Sequence, residues 1–266
     1  LVLCDTNGGC LPTEYREIVS EITAIFDVEI GVHNHDDSGC AVANSLVGIE
    51  AGASHVQGTI NGIGERCGNA NLCTIIANLE LKLGHNSIGM DNLIHLTETS
   101  LFTSEIANIH HNSHFPYTGQ AAFAHKGGAH IAGMLKNTSS FEHVNPDVVG
   151  NERTYILSDQ SGAATVVEKL RKYYPDLNKS GTRVKQILLK VKALESEGYQ
   201  FEVADASFAL LAKREFDGIE VPFDIDGYRV IEEKRNDGMP YSEATIKVIA
   251  KERLVHTAAE GDGPVN

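Results

Sequence analysis

Long hydrophobic runs and clustered positive charge are both scarce in this sequence of 266 residues. No apolar stretch approaches the roughly 20 residues that a membrane-spanning helix needs, so we expect no membrane partner. The chain has 22 lysines and arginines against 36 acidic residues, a formal net charge of -14. Because such a chain repels phosphate groups, we also expect no nucleic-acid partner. No internal repeat or low-complexity segment is present, and the composition is typical of a globular protein.

Paired cysteines are absent as well. The five cysteines lie at positions 4, 10, 40, 67 and 73 and form no Cys-x-x-Cys motif. Their odd number and scattered positions favour reduced thiols, and no stretch resembles a signal peptide. We therefore expect a cytoplasmic protein. A cysteine nucleophile is disfavoured because no histidine partner for it is evident in the sequence.

The most informative stretch begins with a predicted strand over residues 28–32 that runs into His33-Asn34-His35. Residues two apart on a strand point to the same face, so both imidazoles can reach one point beyond the carboxyl end of the strand. A His-x-His pair by itself is weak evidence for a metal site, since the spacing is often incidental. The acidic and glycine residues that follow make a metal site more credible.

A helix of small and apolar residues comes next, followed by a second predicted strand over residues 55–60. That strand leads into a glycine-rich loop containing Glu65, Arg66 and Asn69. The glycine spacing misses the dinucleotide-binding fingerprint by one residue, and Glu65 lies where a phosphate would bind, so we reject a nucleotide site. Alternating strands and helices predict a parallel sheet with its sites at the carboxyl ends of the strands. Both motifs are therefore predicted to lie at one site.

The segments GVHNHDDSGCAVANSLVGIEAGA and GTINGIGERCGNANL resemble a signature of the 2-isopropylmalate, homocitrate and citramalate synthases. These are metal-dependent Claisen-condensing enzymes built on a TIM barrel. The resemblance implies that His33, His35 and Asn69 bind a divalent metal, Zn²⁺, Mn²⁺ or Mg²⁺. The related lyases that cleave hydroxymethylglutaryl-CoA share the His-x-His strand but not the GxGERxGN loop, so the synthases are favoured.

Other segments extend the resemblance. LCDTNGG is similar to the sixth strand of the family's barrel, which implies that Thr6 contacts the carboxylate of a 2-keto acid. A threonine that only completes a turn is an equal alternative.

AFAHKGGAH is similar to a linker segment of the citramalate-type branch, which implies an acid–base role for His130, with His125 as second choice. The alternative for either histidine is a structural role in which the imidazole binds a backbone carbonyl. NERTYILSDQSG resembles the next linker element, which implies that Tyr155 either lies near the mouth of the active site or couples regulation to it, and Glu65 is a further catalytic candidate.

The expected fold class is α/β: the C-terminal part of a TIM barrel, a helical linker region and the start of an α+β regulatory domain. We expect their boundaries at residues 1–84, 85–216 and 217–266. Only three strands are predicted before residue 84, whereas a closed barrel needs eight. We therefore expect the earlier barrel strands to lie outside this sequence, together with a motif that supplies an aspartate metal ligand. The chain alone is expected to be inactive.

Several local predictions accompany this division. A helix should begin at Pro12, and a second should be capped by Asp91 and run to about residue 111. The two glycines between His125 and His130 indicate either that another group approaches the backbone closely there or that a helix starts at Gly128. Strands are predicted over 223–233, 243–249 and 254–257, with a connection at 236–238 and a GxGPV-type turn at the end of the chain.

The function that the resemblance implies is condensation of acetyl-CoA with a 2-keto acid, most closely pyruvate to give citramalate, in branched-chain amino-acid biosynthesis. A homodimer and an amino-acid effector of the C-terminal domain are expected partners. One alternative is a 2-isopropylmalate or homocitrate synthase with the same chemistry. Another, of a different class, is a non-catalytic regulatory or dimerisation fragment.

Overall fold

The structure is a computed structural model that describes residues 1–158, 161–234, 236, 238, 240–261 and 263. It divides into two compact units, Leu1–Val203 and Ala204–Asn266, which we describe separately. Across the described residues, no helix combines the length and the apolar character needed to cross a membrane.

The first unit opens with a three-stranded parallel sheet in the order β1-β2-β3. The strands are β1 (Val2–Asp5), β2 (Gly31–Asn34) and β3 (His55–Gln57), and they are connected by the helices α1 (Pro12–Ile25) and α2 (Ala41–Glu50). Helix α3 (Leu72–Leu81) follows the third strand. The start of α1 at Pro12 is as predicted, because proline fits the first helical position without losing a hydrogen bond.

Two predicted strand boundaries differ from the structure. Strand β2 begins at Gly31 rather than at residue 28, and it includes His33 and Asn34 instead of ending before them. Strand β3 ends at Gln57 because the chain turns into a 3₁₀ turn, Ile60–Gly62, in which Asn61 has a φ of 62°. The sheet packs on α1 through buried Tyr15, Val19 and Val32.

The prediction that Asp91 caps a long helix is wrong. Glu80 accepts hydrogen bonds from the backbone N–H groups of Ser87, Ile88 and Gly89 at 2.6 to 3.0 Å, which fixes a turn there. These bonds also lower the pKa of the Glu80 carboxyl group. Asp91 therefore lies inside a 3₁₀ turn, Met90–His95, which is followed by α4 (Leu96–Ile106). Helix α4 ends five residues before the predicted position of about 111.

A second, two-stranded parallel sheet pairs β4 (Ala124–His125) with β5 (Thr154–Tyr155). Helix α5 (Gly128–Met134) begins at Gly128, which is one of the two predicted alternatives. Helices α6 (Ala163–Leu170) and α7 (Thr182–Ser196) complete the unit. The helical region packs on a core that includes Leu93, Leu96, Tyr117, Phe123 and Val149.

The second unit contains α8 (Asp205–Asp217) and a three-stranded antiparallel sheet of β6 (Phe223–Lys234), β7 (Pro240–Ala250) and β8 (Arg253–Gly261). The three strands predicted from alternating polarity are confirmed, and each is longer than predicted. The predicted connection includes Asp237, and the predicted turn at the chain end includes Asp262 and residues 264–266. Those residues lie outside the described part of the chain.

Candidate metal and substrate site at the carboxyl edge of the parallel sheet

The carboxyl ends of the three parallel strands bring the two predicted histidines together. His33 pairs with Cys4 on β1 and with Gln57 on β3, so it lies on the central strand. The ring centroids of His33 and His35 are 5.2 Å apart and the ring planes make an angle of 64°. Asn34, between them, is fully buried and its side-chain amide donates to Ser45 Oγ at 3.0 Å. The alternation predicted from the sequence is confirmed.

The glycine-rich loop places Asn69 beside these histidines. Asn69 forms an isolated antiparallel bridge with His35, and the N–H of Ala70 donates to the carbonyl of Asn34 at 3.0 Å. The loop therefore folds back along the end of β2. As predicted, the residues of both motifs lie at one edge of the sheet.

Two atoms at this edge have no hydrogen-bond partner although they are buried: His35 Nδ1 and Asn69 Oδ1. Asn69 donates its amide N–H to the carbonyl of Ile63 at 3.2 Å, so only the amide oxygen is left unpaired. Buried polar atoms are normally paired, because an unpaired one costs roughly 1–3 kcal/mol. Among the described residues, unpaired buried atoms also occur on Asn34, between the two histidines, and on Asn44 and Thr165, so being unpaired is not specific by itself.

What distinguishes the edge is the chemistry of the donors. An imidazole nitrogen and an amide oxygen, on residues that face each other across a backbone bridge, are lone-pair donors of the kind that bind a divalent cation. His33 adds a second imidazole at the same place. Among the described residues no cluster of three or more histidine, cysteine or acidic side chains is placed to hold a metal ion, so this set depends on its amide oxygen. The residues present fit a divalent metal.

The glycines of the loop allow it to fold tightly on itself. A Cβ atom on Gly64 would lie 2.2 Å from Asn69 Nδ2, and one on Gly68 would lie 2.2 Å from the carbonyl oxygen of Gly62. Any side chain at Gly64 would therefore displace the Asn69 amide. The glycine spacing is explained by this close approach rather than by a phosphate site.

Arg66 joins the loops that follow all three strands. Its guanidinium donates to both carboxylate oxygens of Asp37, at 2.8 and 3.0 Å, and to the carbonyl of Thr6 at 2.8 Å. Hydrogen bonding from Arg66 is the main reason why the pKa of Asp37 is lowered. The sequence analysis named Arg66 only as a member of the glycine loop. Opposite charges in loops after neighbouring strands were the available signal for this pairing.

Thr6 and Glu65 occupy different surroundings. Thr6 lines a cleft of about 790 Å³ with Asp37, Arg66 and residues of β1 and α1. Glu65 has a side chain that is 87% exposed, and its closest charged partner is Arg66 Nη1 at 3.8 Å. Of the two, only Thr6 is among the residues that line this cleft.

The linker candidates lie on β5 and α5. His130 is exposed, and its ring stacks on that of Phe141 with centroids 4.9 Å apart. Tyr155 is half-buried on β5, opposite His125, and burial raises the pKa of its hydroxyl. Among the described residues, no hydrogen bond or ring contact joins His130 or Tyr155 to His33, His35 or Asn69. The structure brings together the metal candidates but not these two groups.

His125 belongs to a buried network that the sequence analysis did not find. Its Nε2 lies 2.9 Å from Glu142 Oε1, and Arg153 Nε donates to the same oxygen at 2.6 Å. The Glu142 side chain is only 3% exposed, and its hydrogen bonds with Arg153 are the main reason why its pKa is lowered. We call these residues the Glu142 network. His125 thus makes a structural contact, but its partner is the carboxylate of Glu142 and not the backbone carbonyl that the structural alternative named.

Comparisons with known proteins show what the chain is similar to. Residues 1–100 match the HMGL-like family model, and residues 117–199 match the model described as homocitrate synthase post-HMGL domain-like. The first match supports an α/β barrel-type fold for that segment. Together with the curated relatives, the two matches make the chain similar to the family of the 2-isopropylmalate, homocitrate and citramalate synthases.

Within that family, the chain is similar to (R)-citramalate synthases. It is 48% identical to the one from Aquifex aeolicus and 46% identical to the one from Geobacter sulfurreducens, in both cases over 100% of this chain and 51% of the relative. A probable 2-isopropylmalate synthase from Methanosarcina acetivorans is 36% identical over 76% of this chain and 39% of its own. The chain spans about half the length of the citramalate synthases that it matches.

A solved structure, the HMG-CoA lyase of Bacillus subtilis, matches with 25% identity and a TM-score of 0.37, covering 41% of this chain and 38% of that one.

Proposed function

We propose that the protein acts as a citramalate synthase, an acyltransferase that condenses acetyl-CoA with pyruvate and then hydrolyses the thioester. The observation that carries this proposal is the set of His33, His35 and Asn69 at the carboxyl edge of the sheet, with two buried lone pairs left unpaired. The citramalate synthases that match the whole chain at 41 to 48% identity favour pyruvate as the keto acid.

In this proposal His33, His35 and Asn69 hold a divalent metal, which is Zn²⁺, Mn²⁺ or Mg²⁺. When bound, such an ion supplies Lewis-acid polarisation to the carbonyl of the keto acid. The amide nitrogen of Asn69 donates to the carbonyl of Ile63, so the amide oxygen is the atom of this side chain that is left to bind the ion. Neutral imidazoles suit this role because each offers one lone pair.

The chain's own residues account for substrate orientation. Thr6 lines the cleft beside Arg66, and we assign its hydroxyl to the carboxylate of the keto acid. Arg66 holds the backbone of Thr6 through a 2.8 Å hydrogen bond and is itself held by Asp37. His130 is the proposed acid–base residue, and Glu65 and Tyr155 are further catalytic candidates; the reaction also requires a base that removes a proton from the acetyl methyl group.

We further propose that residues 1–84 belong to a TIM-barrel catalytic domain, 85–216 to the helical linker and 217–266 to the start of an amino-acid-binding regulatory domain. A homodimer, an amino-acid effector and a cytoplasmic location belong to the same proposal. A 2-isopropylmalate or homocitrate synthase is the second candidate, favoured by the match of residues 117–199 to the homocitrate-type linker.

The test uses the complete gene product with Mn²⁺ and acetyl-CoA, and measures CoA release with pyruvate, 2-ketoisovalerate and 2-ketoglutarate in parallel. We expect release with pyruvate and its loss in His33→Ala. His55→Ala is the matched control, because His55 is an exposed histidine at the opposite, amino end of β3. Preference for another keto acid would move the assignment to the second candidate. No release with any of the three would leave only the non-catalytic, regulatory alternative.

A further inference from the structure

A buried polar cluster connects the glycine loop to helix α4. Asn61 donates through Nδ2 to the carbonyl of Ser100 at 2.7 Å and to Ser104 Oγ at 3.0 Å. Ser100 Oγ donates to Asn61 Oδ1 at 2.5 Å. Asn61, Ser100 and Ser104 are each less than a tenth exposed. Both ends of the Asn61 amide are therefore paired out of water, where such bonds are strongest.

Asn61 is also the point at which the loop changes direction. Its φ of 62° lies in the left-handed region, which asparagine and glycine tolerate better than other residues. The backbone requirement explains asparagine or glycine at this position, but it does not explain three side-chain hydrogen bonds to a helix 39 or more residues further along the chain.

The two residues after Asn61 hold Asn69. The carbonyl of Gly62 accepts the backbone N–H of Asn69 at 3.0 Å, and the carbonyl of Ile63 accepts its side-chain N–H at 3.2 Å. Gly62 also packs so closely that a Cβ there would lie 3.0 Å from the carbonyl oxygen of Asn69. A shift of the backbone at Asn61 would therefore move Gly62 and Ile63, and with them the side-chain amide of Asn69, whose oxygen is unpaired.

We propose that Asn61 is a positioning residue for Asn69, and that α4 sets the geometry of the metal site through it. This inference rests on the proposed function, in which Asn69 is a metal ligand. Helix α4 belongs to the region proposed as linker, so the linker contributes to the metal site without supplying a ligand. Residues that orient metal ligands in this way typically change metal affinity by about 10- to 100-fold when replaced.

The decisive variant is Asn61→Gly, which keeps the left-handed backbone accessible and removes only the side-chain bonds. The readout is the Kd for Mn²⁺ alone, from electron paramagnetic resonance of the free ion in a titration of the complete gene product without substrate. We expect the Kd to rise about 10-fold. Asn108→Gly is the matched control, because Asn108 is an exposed asparagine with a φ of 52° and makes no bond to the loop among the described contacts. Its Kd should be unchanged.

A merely structural role would lower the melting temperature of Asn61→Gly and leave the Kd of the folded protein unchanged, which would overturn the proposal. Ser104→Ala is the milder second variant, since it removes one of the three bonds, and it should raise the Kd less. In an Asn69→Ala background Asn61→Gly should have no further effect on the Kd, because the ligand that it positions is gone. Failure of the unsubstituted protein to bind Mn²⁺ would instead overturn the proposed metal site and this inference together.

Discussion

Two clusters built around histidine lie in the same unit and have opposite character. At the carboxyl edge of the parallel sheet, His35 and Asn69 present buried atoms without partners. In the Glu142 network, His125 and Arg153 converge on one carboxylate, whose two oxygens are both bonded. In the first cluster two buried atoms can still accept a bond, whereas in the second both oxygens of the Glu142 carboxylate already accept hydrogen bonds. The first cluster fits the proposed metal site, whereas the second connects β4 to the residue that precedes β5 through the Glu142 carboxylate.

The contrast also shows what a histidine motif can indicate. His125 and His130 lie in a segment whose resemblance suggested catalysis, yet His125 is bonded to Glu142, which the sequence places 17 positions away. His33 and His35 lie in a motif that is weak by spacing alone. The unpaired atoms His35 Nδ1 and Asn69 Oδ1 support a ligand-binding role for this motif. Native structures leave few buried polar groups without a hydrogen bond, so such atoms call for an explanation.

The largest expected effect is on stability, in the Glu142 network. Glu142→Gln leaves Arg153 without its buried carboxylate, and we expect the free energy of unfolding to fall by about 3 kcal/mol. Chemical denaturation followed by circular dichroism measures it, with Glu152→Gln as the exposed control on the same segment. The Kd for Mn²⁺ should not change. A variant as stable as the control would mean that this network does not hold the two strands.

The converse change is His35→Ala at the edge of the sheet. It removes a proposed ligand whose Nδ1 has no partner, so the Kd for Mn²⁺ should rise on the order of 100-fold or more. The free energy of unfolding without metal should hardly change, since no hydrogen bond of that imidazole is lost. Isothermal titration with Mn²⁺ and denaturation of the metal-free protein test the two parts. A large decrease in the free energy of unfolding of the metal-free protein would mean that His35 stabilises the fold as the Glu142 network does, which would contradict this prediction.

The smallest effect is a pH dependence. The pKa of Glu142 is lowered in the folded protein from the ordinary value of 4.5, and the groups that face its carboxylate are Arg153 and His125. A lowered pKa stabilises the fold above the unfolded-state pKa, and this stabilisation is lost as the pH falls through the folded-state pKa. The stability difference between the unsubstituted protein and Glu142→Gln should therefore be constant above about pH 5.5 and shrink below pH 4.5. A difference that stays constant to pH 3 would contradict this assignment.

Much of the site could be predicted because the features that place its residues depend on neighbours in the sequence. The alternation of His33 and His35, the loop after the next strand and the position of Asn69 follow from strand periodicity and chain order. Helix α5 starts at Gly128, and the antiparallel strands of the second unit follow from alternating polarity. The failures are equally physical. Asp91 does not cap a helix because Glu80, eleven residues earlier, fixes the preceding turn through three backbone N–H groups.

The sequence by itself determined which residues lie at the edge site: two histidines at strand spacing and an asparagine in a glycine-rich loop. The family resemblance indicated that these three residues bind one metal ion. What only the tertiary structure decided is which groups remain unpaired. Whether Asn69 offers its oxygen, whether His125 is committed to Glu142, and whether Asn61 is tied to α4 all depend on hydrogen bonds between residues far apart in the chain. Such bonds form only when the folded chain brings their donors and acceptors within about 3 Å, and no local pattern encodes that distance.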